Sequence, residues 1–211
     1  MKKYTDTGKV DTRSGFGAGL HEAGKRNPNV VAMTADLLGS LKMEAFVADF
    51  PERFVQCGIA EANMIGSAAG LAIAGKIPFV GSFAEFVTGR VYDQVRQEVA
   101  YGHTNVKIAS SHAGITLGED GATHHGEFDL AYMRPIPNLR IAAPRNEQEL
   151  RDMMYTAYKG DGPFVIRYPR GGAAGVEEGA MKLLPIGKAE VLREGRDVAL
   201  LTLGHTAKDA S

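Results

Sequence analysis

The amino-acid sequence predicts an α/β fold, a mostly parallel sheet with helices on both faces. Three observations carry that prediction. Short apolar runs of strand length, such as residues 30–34 and 78–83, alternate with longer segments whose apolar residues recur at helical spacing. Glycine, asparagine and proline punctuate the junctions. Polar residues gather just beyond the ends of the apolar runs, the place where open α/β sheets bind ligands.

Taken in order, residues 1–12 are polar and read as extended. Phe16 and Leu20, with Ala18 and Ala23, mark a first helix from about Thr12 to Arg26, stopped by Asn27, Pro28 and Asn29. Residues 30–34 form a strand, with Asp36 and the loop 37–40 beyond its tip. A short helix over 43–49 is broken at Pro51. The strand 53–57 then passes through Gly58 into a helix of small residues that opens on Glu61 and that Gly75 can close. The next strand covers 78–83, and Phe86, Val91, Val95 and Val99 predict one amphipathic helix over 84–101. Strand 106–110 leads into the least regular stretch, 111–126, which holds His112, Asp120, His124 and His125. A short helix around 128–133, a strand over 139–142, a helix over 147–158 and a strand over 164–168 complete the alternation. Residues 170–175 read as a glycine-rich loop. Two further strands are expected near 189–191 and 198–201, the opening of a second, C-terminal α/β domain without its body.

Composition narrows the function classes. The chain has 211 residues, 44% hydrophobic and 23% charged, ordinary values for a globular protein that buries a core. With 24 Lys and Arg against 25 Asp and Glu, there is no electrostatic case for nucleic acid or an anionic membrane as partner. The single cysteine, Cys57, excludes an internal disulfide and suits a reducing compartment. The N-terminus has the positive start of a signal peptide but no apolar segment after it, and no run approaches the roughly 18 apolar residues of a membrane span. A cytoplasmic protein is expected.

The chemistry-bearing residues, Asp36, Ser40, Glu61, His112, Asp120, His124 and Arg170, all fall at or just after expected strand ends. Glu61 has two readings: a first-turn partner for the helix dipole, or a carboxylate offered to a ligand. His112 and His124 flank a glycine-rich turn, which either leaves them in solvent or brings two imidazoles to one pocket for proton transfer. A metal held by His124 and His125 is disfavoured, because adjacent histidines seldom converge on one ion. Phe83 and Phe86 serve either the core or a ligand platform. Arg170 is either a surface arginine or a phosphate ligand. There is no Walker loop and no Gly-x-Gly-x-x-Gly after a strand, so a nucleotide is not indicated.

Four strings, Gly58-Ile59-Ala60-Glu61-Ala62-Asn63, Tyr92-Asp93-Gln94-Val95, Gly118-Glu119-Asp120-Gly121-Ala122-Thr123-His124 and Tyr168-Pro169-Arg170-Gly171, together resemble the pyrimidine-binding domain of the transketolase family of thiamine diphosphate enzymes. The resemblance runs over about residues 10 to 200. Its first part is similar to the C-terminal half of a split transketolase, and from about His125 onward it is more similar to deoxyxylulose phosphate synthase. At His112 the synthases usually carry arginine, so this position favours transketolase.

The resemblance implies a pyrimidine-binding domain over 1–175, followed over 176–211 by a linker and the truncated start of the C-terminal transketolase domain. It implies that Glu61 hydrogen-bonds the aminopyrimidine of the cofactor and promotes its imino tautomer, so that the cofactor deprotonates its own thiazolium carbon. It further implies that Phe83 and Phe86 pack on the pyrimidine and that Asp36 lies at the cofactor-side interface. His112 and His124 would move protons on substrate hydroxyls, Asp120 would bind a hydroxyl, and Arg13, Ser40 and Arg170 would take the phosphate end. No Gly-Asp-Gly motif followed by asparagine is present. The implied diphosphate and Mg2+ would therefore be held by a partner chain, a diphosphate-binding transketolase N-terminal subunit, in a homo-oligomer with a dimeric core. The implied reaction is transfer of a two-carbon ketol unit between sugar phosphates. The alternatives are condensation of pyruvate with glyceraldehyde phosphate, and a catalytically inactive truncated or chimeric module.

Overall fold

The computed structural model describes residues 10–173 and 179–210. Residues 1–9, most of the expected leading extended segment, and the expected boundary at 175/176 lie outside the described residues.

β1 (Val10–Asp11) runs straight into α1 (Thr12–Arg26), whose first turn is capped by the Asp11 carboxylate accepting from the Arg13 N–H. β2 (Val30–Thr34) is buried along its whole length, as a strand covered on both faces must be. After α2 (Glu44–Asp49) and a 3-10 turn over Pro51–Arg53 come β3 (Phe54–Gln56) and α3 (Glu61–Ile73). Gly75 closes α3 as expected: at φ +88° it donates to Ala72 O while Lys76 donates to Leu71 O, the paired bonds of a Schellman motif. β4 (Ile77–Phe83), α4 (Ala84–Val87), α5 (Tyr92–Gln94) and a π-helical segment, Val95–Tyr101, lead to β5 (Lys107–Ser111). Then follow α6 (Asp129–Met133), β6 (Arg140–Ala142), α7 (Glu147–Lys159), β7 (Phe164–Arg167) and β8 (Gly172–Ala173), with a short α8 (Ala207–Ala210) at the end.

Six strands form one parallel sheet in the order β3-β2-β4-β5-β7-β6, and β1 pairs with β8 in a separate antiparallel ribbon. One face of the sheet packs against α1 and α7 through Phe16, Leu20, Leu150 and Met154, and the other against α3 and the π-helical segment through Met64, Ile65, Val95 and Val99. Each such side chain contributes about 1.5–3 kcal/mol by leaving water. α1 approaches its neighbours through glycine. A Cβ on Gly15 would stand 2.5 Å from the Glu147 carbonyl oxygen, and one on Gly17 2.1 Å from that of Lys42. The roughly 1 kcal/mol that each glycine costs a helix is offset by this close packing.

Three expectations are corrected. The single helix over 84–101 is broken at Thr88, whose backbone sits at φ −126°, ψ −73°. There the Thr88 hydroxyl bonds back to Ala84 O and joins the Tyr132 hydroxyl at 2.7 Å, so a tertiary contact overrides the helical periodicity. The strands near 189–191 and 198–201 do not form. A strand must satisfy its backbone groups against a neighbour, and no strand of the sheet pairs with these residues; Val191, Val198, Leu200 and Leu201 stand exposed. Within the expected loop 170–175, Gly172 and Ala173 form β8.

The segment after residue 178 instead lies along α7. Gln148, Asp152 and Thr156, spaced four apart on one helix face, accept from the backbone N–H groups of Gly179, Lys182 and Leu184.

Candidate active site

The connection leaving β2 reaches β3 on one side, and the chain then returns past β2 to β4 on the other. The crevice opens where that direction reverses, beyond the strand carboxyl ends. An open cleft of about 450 Å³ lies there, lined by Asp36 after β2, Ile59 and Glu61 after β3, Phe83 and Phe86 after β4, Arg90, and Thr123 and His124 from the loop after β5.

Glu61 is the first residue of α3 and only 4% exposed. Ala60 at the N-cap offers no side-chain hydrogen bond, and Gly58 at φ +65° turns the chain into the helix. The Glu61 carboxylate does not serve its own helix alone. Both oxygens accept from Arg90 Nη1, at 3.2 and 3.1 Å. The guanidinium carbon of Arg90 stands 3.7 Å from the centroid of the Phe86 ring, a cation–π stack. A flat, nitrogen-rich group therefore already fits between Phe86 and the Glu61 carboxylate.

Phe83 and Phe86, half-buried, are 5.8 Å apart between centroids and form an aromatic wall with two imidazoles. His112 lies 4.3 Å from Phe83, and His124 lies 5.0 Å from Phe86 and 6.2 Å from Phe83. The structure thus brings both histidines against one aromatic pair, His124 among the cleft-lining residues and His112 buried and not among them.

His112 is 3% exposed and holds a left-handed backbone at φ +57°. Its Nδ1 is 2.9 Å from Ser111 Oγ and its Nε2 is 3.5 Å from Arg13 Nη1. Arginine only donates, so Nε2 is the acceptor and the proton resides on Nδ1, facing Ser111. Burial first, then the charges of Arg13 and Arg170, lower the His112 pKa to about 4, so the imidazole is neutral at pH 7. His124 differs: it is half-buried at the mouth, with Nδ1 2.9 Å from Thr123 Oγ1.

The expected phosphate-end residues are engaged within the chain. Arg13 forms a fork with Asp11 and donates through Nη1 to the Ser40 carbonyl at 3.2 Å, so Ser40 enters through its backbone. Arg170 reaches Glu119 Oε1 at 2.9 Å and the Leu117 carbonyl at 3.0 Å, and it is not among the cleft-lining residues. Asp36 stands exposed at the rim, at φ +62°, with its N–H held by Gln56 Oε1 at 2.7 Å. Asp120 is exposed in its loop and is not among the lining residues. Among the described residues no three His, Cys, Asp or Glu side chains come together as a metal site.

Arg90 was missed by sequence reasoning. Its signal was present, four residues after Phe86 and so on the same face of the helix expected there. Ile59 and Thr123, also in the lining, carry no chemical signature that would separate them from ordinary loop residues.

The model of the transketolase pyrimidine-binding domain matches residues 8–174 of this chain. The chain belongs to the transketolase family. Among its relatives in that family, a putative transketolase C-terminal section of Methanocaldococcus jannaschii is 42% identical over 199 residues, covering 94% of this chain and 63% of the relative. A 1-deoxy-D-xylulose-5-phosphate synthase of Desulfitobacterium hafniense is 43% identical over 190 residues, covering 90% of this chain and 30% of the enzyme. A solved structure described as a split gene transketolase, inactive beta4 tetramer, superimposes with a TM-score of 0.84 at 39% identity, covering 96% of this chain and 66% of that one. Transketolase from Leishmania mexicana follows at TM-score 0.72 and 26% identity, over 80% of this chain and 27% of that one. The chain therefore spans under two thirds of the curated transketolase section and under a third of the synthase. None of its described helices is long and apolar enough to cross a membrane.

Proposed function

We propose that this chain is the pyrimidine-binding component of a thiamine diphosphate-dependent transketolase that moves a two-carbon ketol unit between sugar phosphates in the cytoplasm. One observation carries the reading. A buried carboxylate, Glu61, shares a cleft wall with Phe86 in a geometry that already accommodates a planar nitrogen-rich group.

Glu61 would hold the ring nitrogen of the aminopyrimidine, with Phe83 and Phe86 packing its faces and Asp36 at the cofactor-side rim. The bound cofactor supplies the carbon nucleophile; the chain supplies orientation and proton handling. Neutral His112, whose Nε2 accepts from Arg13 in this structure, would take a proton from a substrate hydroxyl once Arg13 turns to the phosphate end, and His124 would exchange protons on a second one. Asp120 would bind a hydroxyl, and Arg13, with Arg170 once released from Glu119, would take the phosphate end. The diphosphate and Mg2+ belong, in this reading, to a partner transketolase N-terminal subunit, and pairs of the two chains assemble about a homodimeric core. The relative described as a split gene transketolase supports this division of labour.

The near-equal identity to deoxyxylulose phosphate synthases favours a second reading, condensation of pyruvate with glyceraldehyde phosphate. The chain, a candidate partner subunit, thiamine diphosphate and Mg2+ are mixed and assayed with xylulose phosphate plus ribose phosphate, and separately with pyruvate plus glyceraldehyde phosphate. Turnover of the first pair, lost in Glu61→Ala, is expected. Turnover with pyruvate alone overturns transketolase in favour of the synthase reaction. No turnover of either pair with any partner, and no effect of Glu61→Ala on thiamine binding, would leave an inactive module.

A further inference from the structure

Arg90 has no part in the proposed chemistry, yet among the described residues it is the hydrogen-bonding partner of the Glu61 carboxylate. Its guanidinium makes the two kinds of contact an aminopyrimidine would make in this place: N–H donation to Glu61 and a cation–π contact over the Phe86 ring. We propose that Arg90 is a displaceable occupant of the pyrimidine seat, which keeps Glu61 paired in the cofactor-free chain and must swing out before the ring enters. The inference rests on the reading of Glu61 and Phe86 as the pyrimidine site.

Three features support it. Glu61 is 4% exposed, and a buried carboxylate without a partner is strongly unfavourable, so the empty seat needs a cation or donor in it. The Arg90 side chain is 47% exposed, so it leaves the seat for water without unpacking the core. Arg90 also lies in the interruption between α4 and α5, where the Thr88 break has already removed regular helical constraints on its backbone. A ring entering the seat replaces both interactions that Arg90 gives up. Its apparent affinity is then reduced by the fraction of chains in which Arg90 has moved away.

The test is calorimetric titration of the full chain with thiamine, which carries the pyrimidine but no diphosphate and so does not require the partner's half of the site. Arg90→Ala is expected to bind thiamine roughly 10-fold more tightly than the wild type, the scale of one partly exposed ion pair plus one cation–π contact. Methylguanidinium added to Arg90→Ala should refill the seat and weaken thiamine binding again, while leaving the wild type nearly unaffected. Arg90→Gln, which keeps the stem and a neutral planar end, should shift affinity in the same direction by a smaller factor, and carries the test if the alanine variant melts below the assay temperature. Unchanged or weaker thiamine binding in both folded variants overturns the proposal. If the wild type binds thiamine and Glu61→Ala does not, that failure leaves the pyrimidine site standing. If wild type and Arg90 variants all fail to bind, the pyrimidine reading falls and the proposal with it.

Discussion

The neutral state of His112 has a measurable consequence for the fold. Its pKa falls from an ordinary 6.5 to about 4 because burial, reinforced by Arg13 and Arg170, disfavours the imidazolium. The folded pKa is thus depressed below the unfolded one. Between the two values the unfolded chain binds more protons, so stability is fully present above pH 6.5 and is lost as pH falls toward 4. At about 1.4 kcal/mol per pKa unit, the contribution is on the order of 3 kcal/mol, undiminished by solvent because the side chain is 3% exposed. The comparison is urea unfolding of the wild type and His112→Asn at pH 7 and pH 4.5. Asparagine is chosen because it tolerates the left-handed backbone at φ +57°. Titrations common to both proteins cancel, and the wild type should lose about 2–3 kcal/mol more than the variant over that range. Equal pH dependence in the two proteins, or an NMR titration of His112 with a midpoint near 6.5, would refute the reasoning.

Gly15→Ala should destabilise the chain by about 1–3 kcal/mol in denaturant titration despite alanine's better helix propensity, because its Cβ would collide with the Glu147 backbone 2.5 Å away. Asp129→Asn removes one charge from the pair with Arg167 Nε at 2.8 Å, where Asp129 is 3% exposed. It should cost about 1–3 kcal/mol and speed amide exchange across 118–128, the loop that Asp129 anchors to β7. Lys107 is 1% exposed and its pKa is lowered to about 8, by burial first and then by Arg140. Its folded pKa lies below the unfolded 10.5, so the wild type should gain stability relative to Lys107→Met as pH rises from 7 to 10; parallel denaturation curves at the two pH values would count against this.

The α/β alternation was legible because each strand and helix carries its own period. Six parallel strands appear where the apolar runs stand, and α1 and α3 stop at Asn27 and Gly75, the residues expected to end them. The helix over 84–101 was not legible as broken, since the Thr88 hydroxyl meets Tyr132 of α6, a contact between residues 44 apart in the chain. Strand formation near 189–191 and 198–201 likewise depended on a pairing neighbour that local pattern does not report.

By itself, the sequence determined the parallel sheet, the family and the positions of the chemistry-bearing residues at strand ends, because periodicity and motif spacing are local properties. Only the tertiary structure decided which of them meet. It set Glu61, Phe83, Phe86 and His124 along one cleft, buried His112 against Phe83 and paired Arg170 with Glu119. It also placed Arg90 on Glu61. That pairing depends on how α3 and the broken helix after β4 pack across the same end of the sheet, a relation between elements distant in sequence.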